Sequence, residues 1–389
     1  MSTWSNWSGK LTASPAELHF LRSEHAAQAL AAHANKSGVR IRVAGATHSH
    51  APLVPSDEII VDVGGLSSLI STNLSRKSAW VWAGSRIFTL GRPLHDAGLA
   101  LANQGDIDQQ AICGATATGT HGTGVELQNL SAAVIGAEIV LADGEIVHCD
   151  SENNTELWRA SRLHLGAFGI ITKLQLQLVE AYRLQETAWK APLDETLENF
   201  SETAKKHRHH EFFWYPHGDR AHGKSINITT DKPVYPVAEE GHRCAWNYEV
   251  LPNHRPHKHT EMEYSVPAEH GPACMLAVRD LLKRNFPNVR WPVEYRTLAA
   301  DDVWMSTAYQ RDTVTISVHE DIKQDDEPYF RACEEIFLSF GGKPHWGKVN
   351  YQSGQQLEKM HSKWNAWWKV RDSVDPKGIF LNNYLAELR

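Results

Sequence analysis

Two segments decide the fold of this chain: Gly45-Ala46-Thr47-His48-Ser49 and, later in the sequence, Gly119-Thr120-His121-Gly122-Thr123-Gly124. The first follows the alternating run Val39–Val43, which predicts a strand that ends at Gly45. It therefore places one imidazole, that of His48, on the turn after a strand. The second segment consists of small residues around one histidine, and it can bring several backbone N–H groups against a diphosphate.

The second segment extends back to Cys113, and every side chain from Cys113 to Gly124 except that of His121 is small. No Lys-Ser or Lys-Thr pair follows it, so it is not a Walker loop. It also lacks the third glycine of a Rossmann fingerprint, and no strand–helix unit is predicted around it. The alternative is a tight loop that packs against a sheet. For His48, the alternative is a histidine that donates one hydrogen bond at a strand end.

The 389-residue chain exceeds the usual size of one domain, so two domains are expected. Its composition, 42% hydrophobic and 22% charged residues, is that of an ordinary globular protein. The formal charge of −7 argues against nucleic acid or an anionic membrane as a partner. No apolar stretch is long enough to cross a bilayer.

The five cysteines are odd in number, lie far apart and form no Cys-x-x-Cys, and the first residues lack the pattern of a secretory signal. We therefore predict reduced thiols and a cytoplasmic location. Two groups of histidines raise the alternative of a metal site: His207, His209 and His210, and His254, His257 and His259. Neither group has a convincing ligand spacing, and Pro256 interrupts the second. We predict no metal and interpret these residues as solvated loop histidines.

Residues 1–180 predict many short strands and few helices. Ser23 can cap a helix that runs to about Lys36, with Gly38 as its stop. The other predicted elements are strands at Ile59–Val63, Trp80–Ala83 and Gly169–Glu180, a helix near Leu90–Ala97, and a hairpin at Ala137–Cys149 around Asp143-Gly144. This pattern indicates an α+β domain and not a doubly wound parallel sheet.

A second unit is predicted from residue 181. Its strands are expected at Glu211–Trp214, Ser225–Thr229, Val293–Leu298 and Thr313–His319, and its helices at Thr196–Lys206, Ala273–Asn285 and Pro328–Phe340. The segment Lys232–Glu269 is rich in proline, histidine and charge, so it is predicted to be a long loop or the edge of the domain. After residue 341 the pattern returns to short elements.

These motifs resemble the vanillyl-alcohol-oxidase type of flavoprotein, specifically the branch of sugar-lactone and alditol oxidases. The likeness runs from Asn6-Trp7 through Gly45–Ser49 and Gly114–Gly124 to Phe380-Leu381-Asn382. It implies an α+β fold in which residues 1–180 form a two-subdomain PCMH-type FAD-binding domain. Residues 181–340 would form a substrate (cap) domain with an antiparallel sheet flanked by helices. Residues 341–389 would return to the FAD domain and the active site.

The resemblance implies FAD as the cofactor, joined covalently through His48, because the histidine of the Gly-x-x-His-Ser turn often carries FAD in that branch. A neutral imidazole nitrogen is nucleophilic enough to bond to the flavin methyl group. His50 is the weaker candidate, and Cys113 is not expected to form a second link. The implied cofactor-binding residues are Gly45, Ala46, Thr47, His48, Ser49, Gly114, Thr116, Gly119, Thr120, His121, Gly122, Thr123, Gly124, Gly169 and Ile171.

Oxidation of an alcohol by a flavin needs a base or a cation near the hydroxyl oxygen. Glu294 and Arg296 alternate on a predicted strand, so both lie on one face. Taken alone, this pair is more typical of a surface ion pair, and Lys348 is typical of a charged residue on a solvated loop. The resemblance implies that Arg296 and Lys348 stabilise the forming alkoxide, that Glu294 orients Arg296 or accepts substrate hydroxyls, and that His345 lines the same pocket. Lys348 can act as a base only if burial near Arg296 disfavours its ammonium form.

By the same resemblance, Ser317 and His319 face the substrate from one strand. His319 stands where a small hydroxyl residue is expected, so it is either a second proton acceptor or a residue that reshapes the pocket. Asp106 stands beside the flavin ring where serine is common, and a carboxylate there would bind extra hydroxyls or a cationic group. Gly105, where the family's galactonolactone dehydrogenase carries alanine, leaves a path for O2.

We therefore predict an FAD-dependent oxidase of a sugar lactone, alditol or related polyol, with hydride transfer from the alcohol carbon to flavin N5 and reoxidation by O2 to H2O2. One alternative is a dehydrogenase of the same fold that passes electrons to a quinone or cytochrome. Another is a flavin-binding protein without turnover. The many tryptophans leave a larger sugar-bearing substrate open, such as a glycoside or nucleoside. The expected partners are a small polyhydroxylated molecule and O2, without nucleic acid or membrane, and the expected state is a monomer or small homo-oligomer.

Overall fold

The first long helix shows how local sequence sets the elements in the computed structural model, which describes residues 2–389. The side chain of Ser23 accepts a hydrogen bond from the N–H of Ala26, and Gly38 ends the helix at a φ of 69°. The buried residues of the helix are alanines at helical spacing. The predicted capped helix is confirmed.

Short elements make up the first part of the chain. Its strands are β1 (Trp4–Ser5), β2 (Thr12–Ala13), β3 (Glu17–Phe20), β4 (Ile41–Ala44), β5 (Ile59–Asp62), β6 (Leu69–Asn73), β7 (Ser78–Trp82), β8 (Leu99–Ala100), β9 (Val134–Val140), β10 (Ile146–Asp150), β11 (Ile170–Gln177) and β12 (Val179–Glu180). Its helices are α1 (Glu24–Ser37), α2 (Ile87–Asp96), α3 (Ile112–Thr118) and α4 (Thr155–Ser161), with a 3-10 turn at Leu130–Ala133.

Two sheets organise this part. Strands β3, β5 and β4 form a parallel sheet in that order, and an antiparallel sheet has the order β10-β9-β11-β7-β6. The predicted hairpin is confirmed, because β9 and β10 pair across the Asp143-Gly144 turn. The single strand predicted at Gly169–Glu180 is wrong: β11 ends at Gln177, and β12 pairs with β8 in a separate sheet.

The second part carries longer strands. These are β13 (Arg183–Pro192), β14 (His209–Tyr215), β15 (Arg220–Thr229), β16 (Cys244–Trp246), β17 (His259–Pro267), β18 (Val293–Leu298), β19 (Thr313–Asp321) and β20 (Lys343–Pro344). The helices are α5 (Leu193–Ala204), α6 (Asn247–Val250), α7 (Gly271–Asn285), α8 (Glu327–Ser339), α9 (Gly354–Met360), α10 (Trp364–Val374) and α11 (Asn383–Glu387), with a 3-10 turn at Ala268–His270.

One antiparallel sheet of eight strands, in the order β16-β13-β15-β14-β18-β19-β17-β20, dominates this part. Helices α5, α7 and α8 pack on one of its faces, over a core that includes Phe212, Tyr264, Tyr295 and Ile316. The predicted antiparallel sheet flanked by helices is confirmed. Side chains alternate along each strand, so the opposite face of the sheet carries mainly polar residues.

The segment Lys232–Glu269 is not the predicted long loop, because it contains β16, α6 and the whole of β17. In β17, Met262 and Tyr264 point to the helical core, and Glu261 and Glu263 lie on the opposite face. Glutamate is depleted in strands, but the two in this strand are buried against partners from elsewhere in the molecule, Glu261 against Lys348 and Glu263 against His121. The charged residues that alternate with the apolar ones in this strand therefore led to the prediction of a loop.

Strand β20 belongs to the eight-stranded sheet, but much of the chain that follows it packs onto the first part of the molecule. Trp346, Trp367 and Phe380 belong to the same core as Val81. The buried guanidinium of Arg42 donates to the backbone carbonyls of Leu53, Leu165, Gly166 and Phe380. The beginning and the end of the described chain thus build one core. Within residues 2–389, no helix is both long and apolar enough to span a membrane.

Candidate active site

The turn Gly45–Ser49, which we call the His48 turn, presents unpaired backbone donors. Within the described residues, the N–H groups of Ala46, Thr47, His48 and Ser49 donate no hydrogen bond, and Thr47 has a left-handed φ of 59°. The N–H of Gly114, near the start of α3, is also free of a partner in the described chain. Consecutive free N–H groups in a turn form an anion-binding nest.

A narrow cavity of about 80 Å³ runs between the His48 turn, α3 and residues 164–166. Gly114 has open space where a Cβ would be, and a Cβ on Gly45 would lie 3.0 Å from the Cβ of Ala111. The two glycines therefore expose the backbone to the cavity, and the donors described above fit the diphosphate of a dinucleotide.

The predicted small-residue loop is partly a helix. Residues from Ile112 to Thr118 form α3, which ends at Gly119 with a φ of 76°. Alanine and isoleucine permit a helix here, and the glycine supplies its stop. Only the second half of the segment, from Gly119 to Gly124, is a loop.

The structure brings some of the predicted cofactor residues to a cavity but not others. Those that line one are Gly45, Ala46, Thr47, His48, Ser49, Gly114, Thr120 and His121. Those that line neither described cavity are Thr116, Gly119, Gly122, Thr123, Gly124, Gly169 and Ile171. Thr123 donates to the carbonyl of His210, and a Cβ on Gly122 would lie 2.2 Å from the carbonyl oxygen of Gln104. Thr123 and Gly122 therefore contribute to the conformation of the loop.

His48 lies where two cavities meet. Its side chain lines both the narrow cavity and a larger one, and its ring stacks on Trp7 with 5.7 Å between centroids. Burial, together with the charges of Lys348 and Arg86, lowers the pKa of His48 to about 4, so the ring is neutral at pH 7. His50 lines neither of these cavities and is buried against His259.

The larger cavity, of about 630 Å³, lies between the His48 turn and the polar face of the eight-stranded sheet. Gly105 and Asp106 also line it, from the segment before α3. Neighbouring strands β14, β18, β19 and β17 each turn at least one charged or histidine side chain toward this space. The sheet register therefore gathers residues that are far apart in sequence.

Seven residues of this cavity form interlocking ion pairs, which we call the arginine cluster: Asp106, Glu211, Lys224, Glu240, Arg255, Glu294 and Arg296. Arg296 contacts Glu294 as predicted, donates from Nε to Glu211 at 3.1 Å, and has its Nη2 3.8 Å from Asp106. Burial opposes its charge, but these carboxylates outweigh it and hold the pKa of Arg296 well above its usual value. Arg296 is therefore a fixed cation.

Asp106 binds cationic groups of the chain itself. Its carboxylate lies 2.9 Å from Arg255 and 3.5 Å from Lys224. Burial raises the pKa of Asp106, but Lys224, Arg296 and Arg255 outweigh it and hold the pKa well below its usual range. The carboxylate therefore fixes the cations of this wall.

Glu294 is a carboxyl of the arginine cluster that favours its protonated form. Burial raises its pKa to about 8, and the carboxylates of Glu211, Asp106 and Glu261 add to this effect while Arg296 opposes it. Four carboxyl groups face three cations in the cluster, so one added proton balances the charge.

The titration of Glu294 predicts that stability falls as the pH rises. Because its folded pKa of about 8 lies above the ordinary 4.5, the folded protein binds more protons than the unfolded chain between these values. Between about pH 7 and pH 8, where the buried histidines are neutral in both states, we therefore expect the melting temperature of the wild type to decrease. In Glu294→Gln, which is neutral throughout, the decrease should be smaller. Parallel melting curves for the two proteins across this range would contradict the assignment.

A second group, the histidine cluster, faces the His48 turn and consists of His121, Glu261, Glu263, His319, His345 and Lys348. The predicted role of Lys348 as a base depended on burial near Arg296, but in the structure Lys348 pairs with Glu261. Its ammonium group therefore lies against a carboxylate. Glu263 accepts from Ser317 at 2.8 Å and lies 3.1 Å from Nε2 of His121.

His319 and His345 are neutral histidines with one fixed tautomer each. Nδ1 of His319 lies 2.9 Å from the carbonyl oxygen of Pro292, so this nitrogen carries the proton and Nε2 keeps its lone pair. Nδ1 of His345 accepts from the N–H of Gly347 at 3.0 Å, so Nε2 carries the proton. Burial lowers the pKa of both rings to about 4.

Several site residues were not predicted from the sequence: Glu211, Lys224, Glu240, Arg255, Glu261 and Glu263. The alternation of Glu261 and Glu263 with Met262 and Tyr264 was a usable signal. For Lys224 and Arg255 no local signal exists, because only tertiary contacts bring them to Asp106. Among the predicted residues, Ser317 lines neither described cavity; its hydroxyl donates a hydrogen bond to Glu263 instead.

The interpretation of the histidine groups as solvated loops is wrong for His209 and His210, which are buried in β14, and for His259, which begins β17. His254 and His257 are exposed in a loop, as predicted. Sets such as His50, His259 and Glu261 offer possible ligand atoms within 4.8 Å of one another. The carboxylate in this set is already neutralised by Lys348, so its charge is balanced without a metal.

Known families and proteins match almost the whole length of this chain. The family model described as D-arabinono-1,4-lactone oxidase matches residues 174–247 and 236–388, and that described as FAD binding domain matches residues 15–150. L-gulono-1,4-lactone dehydrogenase of Mycobacterium tuberculosis is 34% identical over 98% of this chain and 97% of its own. Alditol oxidase of a Streptomyces species is 27% identical over 98% of both chains. Cholesterol oxidase of Brevibacterium sterolicum superposes with a TM-score of 0.86 at 14% identity, over 99% of this chain and 96% of that one.

Proposed function

Because this chain belongs to the D-arabinono-1,4-lactone oxidase family and carries an FAD-binding domain, we propose that it oxidises an alcohol group of a sugar lactone, alditol or related polyol and returns the electrons to O2. The observation that carries the proposal is the convergence of Arg296 and Lys348 on the cavity that His48 lines. A flavin-binding protein without turnover would have no need of two fixed cations opposite its flavin site.

FAD, when bound, supplies the acceptor for the hydride that leaves the alcohol carbon. The chain handles the charge that develops on the oxygen: Arg296 and Lys348 are cations held in place by Glu211, Asp106 and Glu261. Preorganised charges of this kind stabilise an alkoxide without having to reorient during the reaction.

The hydroxyl proton needs an acceptor in the same cavity. His319 fits this role, because its Nδ1–H is anchored on Pro292 and its Nε2 lone pair is free of a proton. Glu294 is less suitable, since burial raises its pKa to about 8 and keeps it protonated at neutral pH. Protonated Glu294 and the neighbouring carboxylates supply both donors and acceptors for the other hydroxyl groups.

The proposed cofactor is bound covalently through His48. This residue is the imidazole at the junction of the two cavities, and it is neutral at pH 7. A neutral ring has the free lone pair that bonding to the flavin methyl group requires.

Activity is tested by anaerobic mixing of the yellow holoenzyme with a panel of sugar lactones and alditols. Bleaching of the flavin by members of this panel, followed by one H2O2 per turnover in air, is the expected result. If no polyol or lactone bleaches the flavin, the proposed function is wrong. Bleaching that is reversed by a quinone but not by air would favour a dehydrogenase, the activity in the name of the Mycobacterium tuberculosis relative.

Gly105 provides a test of the choice between oxidase and dehydrogenase. A Cβ at this position would lie 3.0 Å from the carbonyl oxygen of His121, so Gly105→Ala requires only a small shift. The added methyl group would lie against His121 and Thr120, at the position where the resemblance implies a path for O2. We expect Gly105→Ala to slow flavin reoxidation by O2 severalfold and to change flavin reduction by substrate much less, as measured by stopped-flow spectroscopy. Equal reoxidation rates in both proteins would remove Gly105 from the oxygen path.

A further inference from the structure

We propose that the substrate is a sugar joined to a second, planar ring, as in nucleosides and aryl glycosides, and that this ring lies on a platform formed by Phe213, Tyr215 and His222. The proposal rests on the proposed function and extends it to the substrate class. It places the reacting sugar between the arginine and histidine clusters, and the second ring farther from the His48 turn.

The cavity is wider than one sugar ring requires. Its walls include Lys190 on β13 and Glu261 on β17. Four strands lie between these two in the sheet, in the order β15, β14, β18 and β19. Five strand spacings separate β13 from β17, which corresponds to roughly 24 Å across the sheet. The flavin site occupies the end near His48, so space is left over the β13–β15–β14 side.

The two sides of this cavity differ in chemistry. Near the His48 turn the walls carry Glu261, Glu263 and Lys348, which suit the hydroxyl groups of a sugar. Over β14 and β15 the walls carry Glu211 and Lys224 of the arginine cluster and, farther along the same strands, rings: Phe213 is half-buried, and Tyr215 is 40% exposed. These rings beyond the arginine cluster mark a second subsite.

The platform is preformed and rich in donors. The rings of Tyr215 and His222 lie 4.7 Å apart between centroids and are tilted by 43° to each other, so a planar ligand ring would stack on one of them. The guanidinium of Arg255 lies 5.5 Å from the ring of Phe213. Lys190 is opposite His222 in the strand register. A flat ring that presents acceptor atoms can stack on such a surface and bond to its cations.

The first experiment compares matched substrates on the holoenzyme: adenosine with methyl riboside, and 4-nitrophenyl glucoside with methyl glucoside, alongside maltose, xylitol and L-gulono-1,4-lactone. We expect kcat/KM for the aromatic member of at least one pair to exceed that of its methyl partner by roughly tenfold or more, the effect of one base–aromatic stack. Equal values within both pairs would overturn the proposal. So would a preference for maltose, which indicates a second sugar, or for the free lactone or alditol.

The second experiment removes part of the platform. Tyr215→Ser should lower the ratio of kcat/KM for the aromatic to the methyl compound roughly tenfold, because the stacking surface is lost. Tyr235→Ser is the matched control, since Tyr235 is 56% exposed and lies outside the cavity; its ratio should equal that of the wild type. An unchanged ratio in Tyr215→Ser would overturn the proposal.

Failure of the proposed function is distinguished by calorimetry of binding. If no compound bleaches the flavin, adenosine and 4-nitrophenyl glucoside are titrated into the holoprotein and into Tyr215→Ser. Binding that weakens in the variant supports the platform although the proposed reaction has failed. If neither compound binds the wild type, the platform itself is refuted.

Discussion

Replacement of Arg296 by methionine is expected to lower kcat/KM for the preferred polyol or lactone by roughly 10²- to 10³-fold, the range measured when one preorganised oxyanion donor is removed. The physical reason is that Arg296 is a fixed cation in the cavity, held by Glu211, Asp106 and Glu294. The loss should appear in the rate of flavin reduction, measured anaerobically by stopped flow.

Two controls separate this effect from a folding defect. Arg296→Met leaves buried carboxylates without their partner, which costs about 3–5 kcal/mol of stability in comparable buried pairs. The melting temperature and flavin content are therefore measured first. Arg296→Lys keeps a positive charge but loses the planar fork, so its flavin reduction should be intermediate. If Arg296→Met binds flavin and reduces it at the wild-type rate, Arg296 has no role in the reaction.

Replacement of His48 by alanine should abolish covalent attachment of the flavin. After acid precipitation, we expect the wild-type pellet to stay yellow and the His48→Ala pellet to be colourless, because the neutral ring at the junction of the two cavities is the proposed nucleophile. Flavin fluorescence of the denatured protein in a gel gives the same readout without dependence on activity.

His50→Ala is the matched control for this experiment. His50 lies two residues away, and its ring lines neither described cavity. Its pellet should remain yellow. A colourless His50→Ala pellet together with a yellow His48→Ala pellet would reverse the assignment, and a colourless wild-type pellet would show that FAD is bound without a covalent link.

The parts of the fold that depend on local chemistry were predictable from the sequence. The cap at Ser23, the stop at Gly38 and the Asp143-Gly144 hairpin each follow from residues within one turn of the feature. The α+β, PCMH-type fold is confirmed, and it is shared with cholesterol oxidase. The resemblance on which that prediction rested runs from Asn6-Trp7 through the His48 turn and Gly114–Gly124 to Phe380-Leu381-Asn382, and each of these segments is a local pattern.

The site was only partly predictable, because much of it is assembled by pairing between distant strands. Glu294 and Arg296 share one strand, so their proximity followed from the alternation. The partner of Lys348 did not, since Glu261 lies on a strand whose glutamates resembled a loop. The same holds for Arg255 and Lys224, which reach Asp106 across more than a hundred positions of sequence. Such contacts depend on strand order, which no single segment encodes.

The four carbonyl bonds of Arg42 have a consequence for biosynthesis. Three of the acceptors, at Leu53, Leu165 and Gly166, emerge early from the ribosome, but the fourth belongs to Phe380. A nascent chain that has not yet released this residue leaves a buried guanidinium short of an acceptor, and it exposes the apolar surface that Trp367 covers. We therefore expect the core of the first part to complete its packing only after the segment around Phe380 has joined it.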